Sequence, residues 1–373
     1  MSSWTGRRVW VSGCCGFVGS HLCRYLHDQG ADVTGIDVSN SSPSWRVLKL
    51  KRVVPVLRND LRPGSINVPG DSWVRRAAEN PPELIYHLAG ISHIHLAQEH
   101  PLKAWEVNVA ATWAVMERAR EWGSAVVAAS SNHVYGGRVQ AAEDQGGGTA
   151  GDGTGAGILL YTKPGTPLHP YETAMVPSDV YAASKGAADL IVRCYGRSLG
   201  VRACTLRHVN AYGPADPHVT HLVTATILGC LADPPRVTLR GDGSTVKGYL
   251  YVDDVVMAYD ILGRRLLSDD PGWGSVHVTG KAFNAPGPVR SAKEMIEAVI
   301  AVSGRPVELV KAEAGAHDQT GAYESLNGTA LRQLGWTEPI WLEEGLAKTW
   351  EWYTRHGGME WTTKATRQIH PGL

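Results

Sequence analysis

The chain has 373 residues, 43% of them hydrophobic and 19% charged, which supplies enough apolar material for a large core and is too apolar for disorder. Its 36 Lys and Arg balance 36 Asp and Glu, so the basic excess of a nucleic-acid or anionic-membrane binder is missing and neither partner is expected. No apolar run approaches the ~20 residues of a membrane helix. Met1 leads straight into the strand-like Arg7–Val11 with no space for a signal peptide, so a cytoplasmic location is expected.

In chain order, Val9–Ser12, Asp32–Ile36, Val53–Leu57, Leu84–Leu88 and Ala125–Ala129 read as buried strands. Helical spacing lies between them at 17–29, 71–79 and 101–122, a helix begins near Val180, and Arg202–Leu206 is a further strand. This alternation predicts an α/β fold, a parallel sheet wound on both faces. Beyond about residue 214 the rhythm changes to short strands and scattered helices. The expected division is 1–213 for the sheet domain and 214–373 for a smaller C-terminal substrate-binding lobe, with some chain crossing back. Nine of the 22 residues from Gly136 to Gly157 are glycine, and prolines follow to Pro177. This insertion, about 136–177, is a surface loop or a lid. The six cysteines show no paired zinc spacing and read as reduced, buried thiols.

The first strand runs into Gly13-Cys14-Cys15-Gly16-Phe17-Val18-Gly19, which opens the first helix. Glycines at these places let the backbone turn tightly and approach a pyrophosphate, whose charge sits on the helix N-terminus. Asp37 ends the second strand, 18 residues after Gly19, near the ~20 expected for a carboxylate that binds a ribose 2′-hydroxyl. A carboxylate there repels a 2′-phosphate, which favours NAD over NADP.

With these motifs in place, the sequence resembles the extended short-chain dehydrogenase/reductase family of nucleotide-sugar epimerases and dehydratases. The fingerprints recur in order: Gly13–Leu22, Asn59-Asp60-Leu61, His87–Gly90, Asn108-Val109, Ser130–Gly136, Tyr181–Lys185, Leu206–Pro214 and Gly241–Asp254, with Leu334–Tyr353 matching the closing helix. The resemblance spans roughly 7–353. It implies a Rossmann-type doubly wound sheet and NAD held by Gly13, Gly16, Phe17, Val18, Gly19 and Asp37. It also implies Asp60 and Leu61 beside the adenine, and Leu88, Ala89 and Gly90 on the ribose and nicotinamide side. Asn108, Tyr181, Lys185 and His208 complete the implied cofactor set. Relatives often dimerise through paired helices, which implies a homodimer built on 101–122 and 180–199.

Tyr181 and Lys185 are four residues apart on a predicted helix and share a face. An ammonium beside a phenol, joined by the charge of the nicotinamide, favours phenolate and suits Tyr181 to take a proton from a sugar hydroxyl. By the resemblance, Ser131 supports the same oxygen. In related 4,6-dehydratases the next two positions are commonly Asp and Glu, the residues that eliminate water. Here they are Asn132 and His133. His133 is open to three roles: an added acid/base, a substrate contact, or a supporting side chain with no proton to move. A Ser-Asn-His run also resembles uronate dehydrogenases.

The expected substrate contacts are Ser92, Ser131, Asn132, His133, Tyr181, Asn210 and Lys247. Lys247 stands where relatives usually carry an arginine, and Gly315-Ala316-His317-Asp318 lacks the diphosphate-binding arginine of many members. His93, His95 and His100 do not form a metal triad by spacing, and no metal is predicted. The leading expectation is NAD-dependent epimerisation of a nucleotide-activated sugar through a transient keto sugar. The alternatives are a dehydratase or 3,5-type epimerase that uses His133, and a sugar or uronate dehydrogenase that releases NADH. A protein that only senses NAD would not need Ser131, Tyr181 and Lys185 together.

Overall fold

The computed structural model describes residues 3–63, 77, 80–136, 168–170, 173–269, 278–312, 325–337 and 340–356. Residues 71–76, most of the Gly-rich insertion and Gly315–Asp318 lie outside them. The strands are β1 (Arg8–Ser12), β2 (Asp32–Asp37), β3 (Val56–Arg58), β4 (Leu84–His87), β5 (Ala125–Ala129), β6 (Ala203–His208), β7 (Asn210–Tyr212), β8 (Arg236–Arg240), β9 (Val246–Tyr251), β10 (Ala282–Ala285), β11 (Val289–Ser291) and β12 (Glu308–Ala312). The helices are α1 (Phe17–Asp28), α2 (Pro43–Val47), α3 (Ile94–Glu99), α4 (Pro101–Trp105), α5 (Ala111–Trp122), α6 (Val180–Ser198), α7 (Leu222–Leu231), α8 (Val252–Leu267), α9 (Ala292–Ser303), α10 (Thr329–Gln333) and α11 (Leu342–Arg355).

Seven strands form one parallel sheet in the order β10-β6-β5-β4-β1-β2-β3. This is the Rossmann-type α/β fold expected from the sequence. Side chains alternate across the pleat, so Val9 and Val11 pack with Leu22 and Leu26 of α1 and Val255 and Leu262 of α8 on one face. Trp10 and Val126 point the other way, onto Val115 and Met116 of α5 and Val192 of α6. Strand order reverses between β1 and β4, and in such sheets ligands bind outside the carboxyl ends of the strands at that point. After β6 the chain contributes β10 to this sheet, a three-stranded sheet β11-β9-β7 and a parallel pair β12-β8.

Two local readings of the sequence are corrected. The strand placed at Val53–Leu57 begins instead at Val56: Val53 and Val54 close a helical turn onto Leu50, and Pro55 has no N–H for the ladder. The single helix read at 101–122 is α4 and α5 joined by a π-helical turn, Glu106–Ala110. Five of the six cysteines are buried and all six are free thiols, but Cys194 is exposed.

Candidate active site

The carboxyl ends of β1, β4, β5 and β6 open onto one cleft of about 1670 Å³. It is lined by Gly13, Gly16, Phe17, Val18, Gly19, Asp37, Asp60, Leu61, Leu88, Ala89, Gly90, Ser92, Ser131, Asn132, His133, Tyr181, Lys185, His208, Asn210 and Lys247. Of the residues expected at the site, Asn108 alone is not on its wall. It is buried in the π-helical turn, where its side-chain oxygen accepts from Ile91 N (2.7 Å) and its Nδ2 donates to Ile91 O (3.1 Å) and Ser184 Oγ (2.9 Å). Asn108 thus braces the Gly90–Ile91 loop against α6.

The glycine loop fits a dinucleotide. Gly13 has φ +68°, and a Cβ there would stand 2.7 Å from Ala89 N. A Cβ on Gly19 would stand 2.1 Å from Gly13 O, so the first turn of α1 packs directly on the loop. Gly16 caps α1 without a side-chain hydrogen bond, and the first turn holds no acidic residue. Its N–H groups and the positive end of the helix dipole are therefore placed for an anion. Asp37 Oδ2 accepts from Cys15 N (3.0 Å) and Oδ1 from Ser39 N (3.1 Å), and each oxygen keeps a lone pair for a ribose hydroxyl. Burial raises the Asp37 carboxyl, while these N–H groups act to lower it.

The chemical centre forms where β5 ends and α6 begins. Asp179 accepts from Ala182 N (2.8 Å) and caps α6, which sets Tyr181 in the first turn and Lys185 one turn later. Ser131 caps the helical turn Asn132–Tyr135, accepting from His133 N (3.2 Å), and its hydroxyl acts to lower the Tyr181 phenol. The His133 and Tyr181 rings meet edge to face, 5.7 Å between centroids. Burial raises the Tyr181 phenol above the ordinary tyrosine range, against a lowering by Ser131. The lowering expected from Lys185 is thus absent in the protein alone, where Lys185 Nζ donates to the Ala129 carbonyl. Burial brings the Lys185 ammonium down to about 8, the Asp189 carboxylate acting in the opposite direction. Burial also lowers His208, whose Nδ1 lies 2.7 Å from the Val209 carbonyl, so a neutral ring carries its proton there.

Behind α6, Asp189 Oδ1 and Oδ2 take the Arg207 Nη2 (2.8 Å) and Nε (2.9 Å), Thr205 Oγ1 (3.0 Å) and Arg193 Nε (2.7 Å). Arg207 Nη1 continues to Tyr135 OH (2.7 Å), which donates to Asn284 Oδ1 (2.8 Å). This buried network ties the Lys185 helix to β6, β10 and the turn that carries His133.

On the substrate side, Asn210 Nδ2 donates to Gly248 O (3.1 Å), and Lys247 shares the cleft wall with Arg236 and Arg240. Sequence reading did not single out those two arginines, which alternate along β8 with the buried Val237 and Leu239. It also passed over His218 and His221, which join His93 and His95 on the wall; His100 lies away from it. The loop that carries His218 and His221 is held from three sides: His21 Nε2 on Pro214 O (2.9 Å), Ser44 Oγ on Ala215 O (2.7 Å) and Tyr353 OH on Asp216 O (2.7 Å). Ala215 adopts φ +60°, a conformation that costs about 1–2 kcal/mol for a residue with a Cβ and persists only where the surroundings impose it.

The sequence profile of the NAD dependent epimerase/dehydratase family matches residues 9–272. The chain belongs to this family. As a member of it, the protein is an enzyme and its cofactor is NAD. A UDP-glucose 4-epimerase of Mycolicibacterium smegmatis is 27% identical over 351 residues, 93% of this chain and 98% of that one. A dTDP-glucose 4,6-dehydratase of Salmonella typhimurium is 24% identical over 358 residues, 93% and 92% of the two chains. Among solved structures, the UDP-glucose 4-epimerase of Thermus thermophilus in complex with NAD superposes with a TM-score of 0.71 at 26% identity, covering 93% of this chain and 99% of that one.

Proposed function

We propose that this family member epimerises the sugar of a nucleotide sugar through a transient keto sugar, with no net oxidation. The observation that carries the reading is the pair after Ser131. Asn132 is a buried amide that exchanges no proton near neutrality, so the acidic pair of the related dehydratases has no counterpart here. Gly13, Gly16, Gly19 and Asp37 would hold NAD, which would supply reversible hydride acceptance at the carbinol carbon. Tyr181 takes the hydroxyl proton, and Ser131 donates a hydrogen bond to the same oxygen. Lys185 would hold the nicotinamide ribose and supply positive charge beside the phenol. The keto sugar then turns its other face, and Tyr181 gives the proton back. Arg236, Arg240 and Lys247 line the cleft, and on this reading they would meet the nucleotide diphosphate. The reading predicts that one of a panel of UDP-, GDP-, CDP- and dTDP-sugars yields an isomer of unchanged mass, followed by mass spectrometry, with no NADH band growing. A dehydratase reading has one observation in its favour, the His133 ring packed against Tyr181, and it predicts a product lighter by one water.

The functional unit we propose is a cytoplasmic homodimer. Leu102, Trp105, Trp113 and Leu190 are exposed on α4, α5 and α6, and pairing these helices with a second copy removes that apolar surface from water. Light scattering is expected to read two chain masses. A single chain mass at micromolar concentration contradicts the pairing.

A further inference from the structure

The expectation of no metal rested on the spacing of His93, His95 and His100, but the fold brings His93 to His218 and His221 instead. One ligand nitrogen from each of His93, His218 and His221 lies within 4.8 Å of the other two. The ring centroids are 4.3 Å apart for His93–His218, 4.7 Å for His218–His221 and 5.4 Å for His93–His221. All three line the cleft. His221 Nδ1 lies 2.7 Å from Asp216 Oδ2, which leaves Nε2 as its donor to a cation. Asp216 is fully buried and also accepts from His218 N (3.0 Å) and Thr224 Oγ1 (3.1 Å), so one carboxylate fixes the backbone of one histidine and the ring of another.

We propose that His93, His218 and His221 bind a divalent transition ion of the zinc class, with Asp216 as the positioning residue and the fourth position left to an oxygen ligand from the cleft. Three imidazoles suit Zn²⁺, Ni²⁺ or Cu²⁺ and not Mg²⁺ or Ca²⁺, which take oxygen. Three protein nitrogens with one open position is the ligand count of reactive zinc sites. A tetrahedral ion with bonds of about 2.05 Å needs nitrogens about 3.3 Å apart, so the rings close by roughly 1 Å each. A carboxylate on the far nitrogen of a ligating histidine orients the ring and raises its basicity. The pinned loop from Pro214 to Asp216 keeps two of the ligands in place. The other grouping of ligand type among the described residues joins Cys14 and Cys15 of the glycine loop to Asp37 at the end of β2, and burial there holds Cys14 as the thiol.

The test is calorimetric titration of the full chain with Zn²⁺ after dialysis against EDTA, and it does not depend on the proposed reaction. One equivalent is expected to bind. His93→Gln and His218→Gln, both on the cleft surface, are expected to abolish that equivalent with circular dichroism unchanged, and His100→Gln to keep it. Asp216→Asn is expected to weaken binding about 10–100-fold. Failure to bind a stoichiometric Zn²⁺, or an equivalent that survives both His93→Gln and His218→Gln, overturns the site. Activity in the sugar panel leaves this result untouched in either direction.

Discussion

Tyr181→Phe is expected to lower turnover about 10²–10⁴-fold while NAD still binds, because it removes one hydroxyl from a buried site and leaves the rest of the cleft in place. The range is that of a positioned general acid or base. The geometry behind it is specific: the Asp179 cap fixes the start of α6 with Tyr181 in its first turn, the His133 ring meets the Tyr181 ring edge to face, and Lys185 follows one turn on. Burial raises the phenol in the protein alone, so on the proposed reading proton removal depends on positive charge brought beside it by Lys185 and the oxidised cofactor together. Turnover by the Phe variant within about threefold of the parent shows that another group is the base. His133, edge-on to the same ring, is then the first residue to replace.

The second large effect is on stability. Asp189→Asn is expected to cost about 3–5 kcal/mol, since it leaves the Arg207 guanidinium buried without its counter-charge. For a chain of this length that corresponds to a fall in Tm of about 4–6 °C. The carboxyl of Asp189 is held below the ordinary range: burial pushes it up, and Arg207 more than offsets this. Its contribution is therefore present above the carboxylate range of the unfolded chain and is lost as pH falls through the lower folded value. Replacing both partners by apolar residues, Asp189→Leu with Arg207→Met, is expected to recover much of the loss, because no charge is then stranded. A loss under about 1 kcal/mol for Asp189→Asn in chemical denaturation means that water or Tyr135 shields Arg207 more than the geometry indicates.

The parts of the molecule that were legible in the sequence are those fixed by short-range rules. The glycine loop, Asp37 and the Tyr181–Lys185 pair each depend on a spacing within one strand–helix unit, and the structure brings these residues to one cleft. What sequence reading missed depends on contacts between distant segments. His93 meets His218 and His221 across more than a hundred residues, and the short His218–His221 spacing is lost among 15 histidines. Arg207 falls one residue past the strand read at Arg202–Leu206, and only folding shows Asp189 facing it from α6. Asn108 sits in a helical pattern whose π-helical turn no periodicity announces, and that turn directs its amide to Ile91 and Ser184 instead of the cleft. The Tyr181 phenol is the electrostatic counterpart of the same limitation: spacing gives the neighbouring ammonium, while burial, which spacing does not report, sets the direction of the shift.

The most direct test of the central claim, that hydride leaves and returns at one carbon, is to run the turned-over nucleotide sugar in D₂O and weigh the isomer after back-exchange of its hydroxyls. Hydride return puts no solvent deuterium on carbon, so an epimer of unchanged mass with no accumulated NADH is the predicted result. A product about one mass unit heavier, with deuterium in place of hydrogen on carbon, shows enolisation and proton exchange at carbon. That outcome, a product lighter by one water, or NADH that grows in step with an oxidised sugar contradicts the account.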